Sequence, residues 1–160
     1  MTDTAELVAR LADRVQLLED KLAIMNLISS YGPAVDSGQA DKVSGLWTED
    51  GLYDVDTGAM HGRGEIEAMV HSRNHQSYIH GGSGHLLYPP HIKLEGDTAV
   101  ATCHSQLVLR DTETGVYGVA RITANRWELS RIDGEWKVTR RVGRVLNGGD
   151  EGRGILSSGV

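Results

Sequence analysis

Phenylalanine is absent from all 160 residues, and cysteine occurs once, at Cys103. The core must therefore be filled by leucine, isoleucine, valine, tyrosine and three tryptophans. A single cysteine excludes an internal disulfide, and the apolar-rich run around Cys103 marks it as a small core residue, not a nucleophile. No stretch approaches the roughly 20 apolar residues of a membrane span. The N-terminus is acidic and amphipathic, unlike the basic-then-apolar start of a signal peptide, so a cytoplasmic protein is the default expectation. Basic runs are lacking too. With 16 Lys and Arg against 22 Asp and Glu, the formal net charge is -6, which argues against a nucleic-acid or anionic-membrane surface. What remains is the composition of one soluble globular domain, 39% apolar and 24% charged, able to bury about 70% of its unfolded surface without a metal or disulfide staple.

The stretch from Leu27 to Asp50 ends one helix and starts another. Leu27, Ile28, Tyr31, Val35, Val43, Leu46 and Trp47 recur at helical spacing, and Asp36 sits at the break, after Pro33 and before Ser37-Gly38. A carboxylate at a helix C-terminus faces the negative end of the helix dipole, so Asp36 should become more basic or acquire a cationic or N–H partner. Upstream, residues 4 to 32 read as one long helix whose Val8, Leu11, Val15, Leu18, Leu22 and Met25 form a heptad seam. Residues 1–20 are a helical extension, expected to pack on a neighbouring subunit, across the domain's own outer face, or to lie as a frayed arm. Helices are also expected over 39–47 and 64–73, with a strand at Leu52–Val55 between them.

From Gly84 onward the chain reads as strands punctuated by turns. Val100–Leu109, Val116–Leu129 and Glu135–Leu146 should be adjacent antiparallel strands, giving an α+β domain over residues 1–146 whose sheet curls around its helices and leaves a mouth at one end. Alternation divides the first of these strands into Val100, Thr102, His104, Gln106 and Val108 on one face and Ala99, Ala101, Cys103, Ser105 and Leu107 on the other. The polar set, with His104 and Gln106, is expected to face the pocket. In the last strand, Arg141 shares a face with Gly143, while Trp136, Val138 and Arg140 are expected outside. The Gly-rich tail, residues 147–160, should be disordered or docked over the pocket mouth.

Seven histidines invite a metal hypothesis, yet no zinc-motif spacing is present, and no metal or cofactor is expected. No phosphate-binding glycine loop opens a helix, and no nucleophile elbow occurs. The run from His85 to Asp97, read with Asp36 and the segment Asp133–Gly143, resembles the SnoaL-like branch of the nuclear transport factor 2-like superfamily over roughly residues 20–146. The resemblance implies a cone-shaped, cystatin-like α+β barrel. Its nearest patterns are lyases: hexachlorocyclohexane dehydrochlorinase, bile-acid 7α-dehydratase and scytalone dehydratase. By motif position, His85 falls on their catalytic histidine, Asp36 on its aspartate partner, Arg141 on an active-site arginine and Tyr31 on an active-site tyrosine. Pro89 and Gly84 stand where many relatives carry asparagine and arginine, so substrate shape should differ.

The implied activity is elimination from a mostly apolar or aromatic small molecule, with dehydration favoured. A histidine can act as base at neutral pH while a carboxylate on its other nitrogen fixes the tautomer. Arg141 would neutralise developing charge. Tyr53, Tyr88, His104 and Gln106 complete the expected substrate-binding set. Isomerisation or retro-aldol cleavage by the same pair stays open, as does a non-catalytic ligand carrier or the small subunit of a ring-hydroxylating dioxygenase. The resemblance also implies a homo-oligomer, a trimer before a dimer.

Overall fold

The structure is a computed structural model that describes residues 3–159. Helix α1 (Thr4–Asp36) runs 33 residues and starts at Asp3, whose carboxylate accepts from the Ala5 N–H. It has two apolar faces. Ile24, Ile28, Tyr31 and Val35 are buried against the sheet, whereas Val8, Leu11, Val15, Leu18, Leu22 and Met25 are all exposed. Residues 4–19 bury no side chain, and the packed part of α1 begins at Asp20. That carboxylate is buried, accepting from Trp136 Nε1 at 3.1 Å and pairing with Arg131 at 2.7 Å, so it ties the helix to the sheet.

After α1 come α2 (Ala40–Ser44), β1 (Trp47–Val55), β2 (Gly58–His61), α3 (Gly62–His71) and α4 (Arg73–Gly81). The rest is β3 (Ser83–Leu87), β4 (His91–Glu95), β5 (Thr98–Arg110), β6 (Tyr117–Ile132), β7 (Glu135–Val145) and α5 (Asp150–Ser157). Helix α4 was not expected: its sequence RNHQSYIHG is mostly polar, with Tyr78 and Ile79 its large apolar side chains, and Ser72 starts it by accepting from the His75 N–H. The seven strands form one open sheet in the order β2-β1-β7-β6-β5-β3, with β4 also paired to β5. Strands β5, β6 and β7 are antiparallel neighbours, and β1 joins β7 in parallel. Bulges in both pairings of β6 bend the sheet around α1 and α3. No helix among the described residues is long and apolar enough to cross a membrane.

Two strand faces differ from expectation. On β5 the alternation is as expected but the sides are exchanged: Ala99, Ala101, Cys103 and Leu107 are buried inside. His104 is exposed on the other side, because small apolar side chains are what fit beneath the helices. On β7 the pairing jumps from Leu129↔Val138 to Glu128↔Arg140, which leaves Thr139 as a bulge. The bulge changes the phase, so Trp136 and Val138 join Arg141 in the interior instead of packing outside. The tail is also corrected. It forms α5 on the outer side of the sheet, where Arg126 donates to the Ser158 carbonyl at 3.2 Å and His91 Nδ1 to the Gly159 carbonyl at 2.8 Å. No described residue of the tail lines the cavity or its mouth.

Candidate active site

Asp36 is the last residue of α1, which continues through Pro33. The helix closes when Ser37 donates its N–H and its hydroxyl to the Pro33 carbonyl, and Gly38, at φ 71°, turns the chain away. One turn earlier, Gly32 lies against β3 so closely that a Cβ there would stand 2.2 Å from the His85 carbonyl oxygen. Only glycine permits that approach, and it brings the helix end onto the strand.

There the carboxylate of Asp36 takes hold of one residue twice. Oδ2 accepts from the His85 backbone N–H at 2.6 Å, and Oδ1 accepts from His85 Nδ1 at 2.6 Å, with the Ser83 hydroxyl a third donor at 3.1 Å. Burial raises the Asp36 pKa, but the hydrogen bonds from the His85 ring and backbone, the histidine's charge and Ser83 outweigh it, so the carboxyl is held below its ordinary range. The helix-end carboxylate has thus acquired N–H partners and is less basic. Because a carboxylate can only accept, Nδ1 carries the proton, and in the neutral ring it is Nε2 that holds the lone pair.

His75, from α4, stacks on the His85 ring with centroids 5.3 Å apart and planes at 17°. It is 8% exposed, and its Nε2 has no partner among the described residues. Burial first, then the neighbouring His85, pushes its pKa down to about 4, so this second ring stays neutral. His71, which sequence spacing would place on the same helix face as His75, belongs to the preceding helix. No group of metal-ligating side chains occurs among the described residues.

Beyond His85 lies a box of aromatic rings. Tyr31 stands edge-on to Trp47, Tyr53, His85 and Trp127 at 6.0–6.3 Å, and its hydroxyl meets that of Tyr53 at 3.2 Å. Burial and the adjacent Tyr53 raise the Tyr31 pKa far above its usual value, so the phenol stays protonated. Arg141 extends over these rings, its guanidinium 4.1 Å from the Trp127 centroid, 4.3 Å from Tyr31 and 4.7 Å from Tyr53. Its Nε and Nη2 donate to Asn125 Oδ1 at 3.2 and 2.8 Å, and Nη1 is unpartnered among the described residues. Arg141 is 4% exposed and has no carboxylate of the described residues within salt-bridge distance. A buried cation in that state costs several kcal/mol unless charge is brought to it.

The space these residues enclose has two parts. A niche of about 30 Å³ is walled by Arg141, Asn125, Tyr31, Tyr53 and His85, room for about two waters. Past His85 it meets a chamber of about 510 Å³, whose walls include Val55, Met60, Met69, His75 and Tyr78. Of the expected site residues, His85, Asp36, Arg141, Tyr31 and Tyr53 are brought together. Gln106 borders the niche, although alternation aligns its side chain with exposed Leu86. His104 and Tyr88 are not in the site: His104 faces outward beneath α5, and Tyr88 is exposed on the connection to β4. Asn125, His75 and Arg121 were missed. Asn125 carried a signal, being a residue disfavoured in strands yet placed mid-strand in β6.

The SnoaL-like domain model matches residues 16–142. A nuclear transport factor 2-like protein with a cystatin-like fold from Novosphingobium aromaticivorans is similar at 39% identity and TM-score 0.88, with 98% of each chain covered. A type 3 hexachlorocyclohexane dehydrochlorinase from Novosphingobium barchaimii is 18% identical at TM-score 0.72, over 83% of this chain and 90% of the other. A candidate scytalone dehydratase from Novosphingobium aromaticivorans is 18% identical at TM-score 0.69, over 81% and 85%. At those identities the last two likenesses show the fold. No curated protein sequence matches the chain.

Proposed function

The chain belongs to the SnoaL-like domain family of the nuclear transport factor 2-like superfamily, and from that premise we propose that it is a lyase in which His85 removes a proton from a small organic substrate and a small group leaves. The observation that carries this reading is the 2.6 Å bond from His85 Nδ1 to Asp36, which leaves Nε2 as the base at the junction of niche and chamber. As Nε2 takes the proton, the imidazolium that forms is balanced by Asp36. The electrons left on the substrate expel the leaving group, and Arg141, with Nη1 free, neutralises the negative charge that develops. Dehydration is favoured over loss of a larger fragment, since the niche beside Arg141 admits only a group the size of a water or a halide. The isomerase and retro-aldol readings use the same base: in the first the proton returns to another atom of the same molecule and nothing leaves, in the second a C–C bond breaks and a carbonyl fragment leaves.

The test is turnover on a panel of β-hydroxy and β-halo carbonyl compounds, with products identified by mass. His85→Ala and Asp36→Asn are each expected to lower kcat by about 100-fold or more with the fold intact by circular dichroism. The double variant should be hardly worse than either single, because the two side chains act as one unit. Multiplicative losses in that cycle would count against a dyad.

A further inference from the structure

The chain carries a net charge of -6, yet two arginines border its cavity with no carboxylate partner among the described residues. Asp36 is engaged at both oxygens by His85 and Ser83. Two other carboxylates reach the cavity walls, and each holds a backbone N–H: Asp56 accepts from Val145 at 3.0 Å, and Glu65 from His61 at 2.7 Å. Arg141 donates to Asn125 but has no carboxylate partner among the described residues, and its Nη1 has no partner of any kind among them. Arg121 is the second cation. It borders both the niche and the chamber, and its side chain has neither a hydrogen bond nor a salt bridge to any described residue.

Sheet register fixes where Arg121 stands relative to the base. His85 on β3 pairs with Leu107 on β5, and Leu107 pairs with Arg121 on β6, so the three form one row across the sheet. Two inter-strand steps put the backbones of His85 and Arg121 about 10 Å apart. Side chains in one row of paired positions share a face, so both point into the cavity, with Leu107 as an apolar floor between them. Arg121 is exposed where Arg141 is buried, and its charge reaches the stacked histidine ring of His75.

We infer that the substrate is an organic anion whose carboxylate is held by Arg121 at the mouth, while its reacting carbon lies under His85 and its departing group points to Arg141. This rests on reading the cavity as a substrate site. A guanidinium matches a carboxylate in a paired, planar contact, and an unpaired one at a cavity rim also raises the arrival rate of anions. The row of about 10 Å leaves room for roughly one ring between the carboxylate and the reacting carbon. The ligand class is thus a monocyclic or short-chain carboxylic acid, not a neutral hydrocarbon.

Binding tests this independently of turnover. A panel of small aromatic and alicyclic carboxylates, beginning with phenylacetate and 3-phenylpropanoate, would be titrated beside their primary amides, which match them in shape but carry no charge. Tryptophan fluorescence is the readout, since Trp47 and Trp127 line the aromatic box. The acids should bind at least about 10-fold more tightly than their amides, and Arg121→Gln should abolish that preference while leaving amide binding and melting temperature unchanged. Added salt should weaken the acids alone. No preference for acid over amide across the panel, or a preference that survives Arg121→Gln, would overturn the inference. An enzyme that turns over only neutral substrates through His85 would overturn the anion site and leave the lyase reading in place.

Discussion

His75 carries the clearest pH signature of any single residue. Its ring is trapped between His85 and Tyr78, with Asp36 and Arg121 the other charged groups acting on it. Its folded pKa is about 4 against an ordinary 6.5. Above the higher value both folded and unfolded chains hold it neutral, and nothing is lost. As pH falls, the unfolded chain binds a proton first while the folded chain refuses one until about pH 4, so stability drops through that window by on the order of 3 kcal/mol. Thermal melts should therefore show a falling Tm from pH 6.5 to 4 that is shallower in His75→Phe, a variant that keeps the stacked ring without the titrating nitrogens. Equal slopes for the two proteins would show that His75 is not held neutral by its surroundings.

At the scale of elements, the bulge in β7 decides which arginine enters the cone. Arg141 is inside on the aromatic box, and Arg140, one residue earlier, is exposed opposite Glu128. Arg141→Met is expected to cut kcat by about 100-fold, as loss of one charge stabiliser commonly does, while Arg140→Met should leave it within about threefold. Comparable losses from both would remove Arg141 from the chemistry. The family resemblance put Arg141 inside, and alternation counted from it put Trp136 and Val138 on the wrong side, because a bulge leaves no mark in a run of valines and arginines. The same limit applies to β5, where the pattern gives two faces and only the packing under α1 and α3 says which is inner. The meander β5–β6–β7 was readable from its turns. Helix α4 was not, since its polar residues owe their helical conformation to the cap at Ser72 and to tertiary position. The pairing of Asp36 with His85 spans 49 residues and was reachable only through family resemblance, because no local pattern encodes the approach that Gly32 permits.

At the scale of the whole molecule, helix α1 leaves an apolar stripe uncovered among the described residues. Along α1, Val8, Leu11, Val15, Leu18, Leu22 and Met25 keep heptad spacing on a face left exposed by its own chain. A second and third copy of the same helix would cover such a stripe, and a homo-oligomer, with a trimer first, is the assembly we propose for it. Light scattering at micromolar concentration should give a mass above 17.4 kDa, and Leu11→Lys with Leu18→Lys should return it to that of one chain. A monomeric wild-type protein would dismiss the assembly. The shape of the cavity has a kinetic meaning as well. Under the lyase reading, a group expelled toward Arg141 into the small niche would lie behind the larger product in the wide chamber. Departure is then sequential, the large product first and the small one after. Under that reading, until the large product goes the small one could add back, so commitment to product would come when the chamber empties, later than the moment a bond breaks.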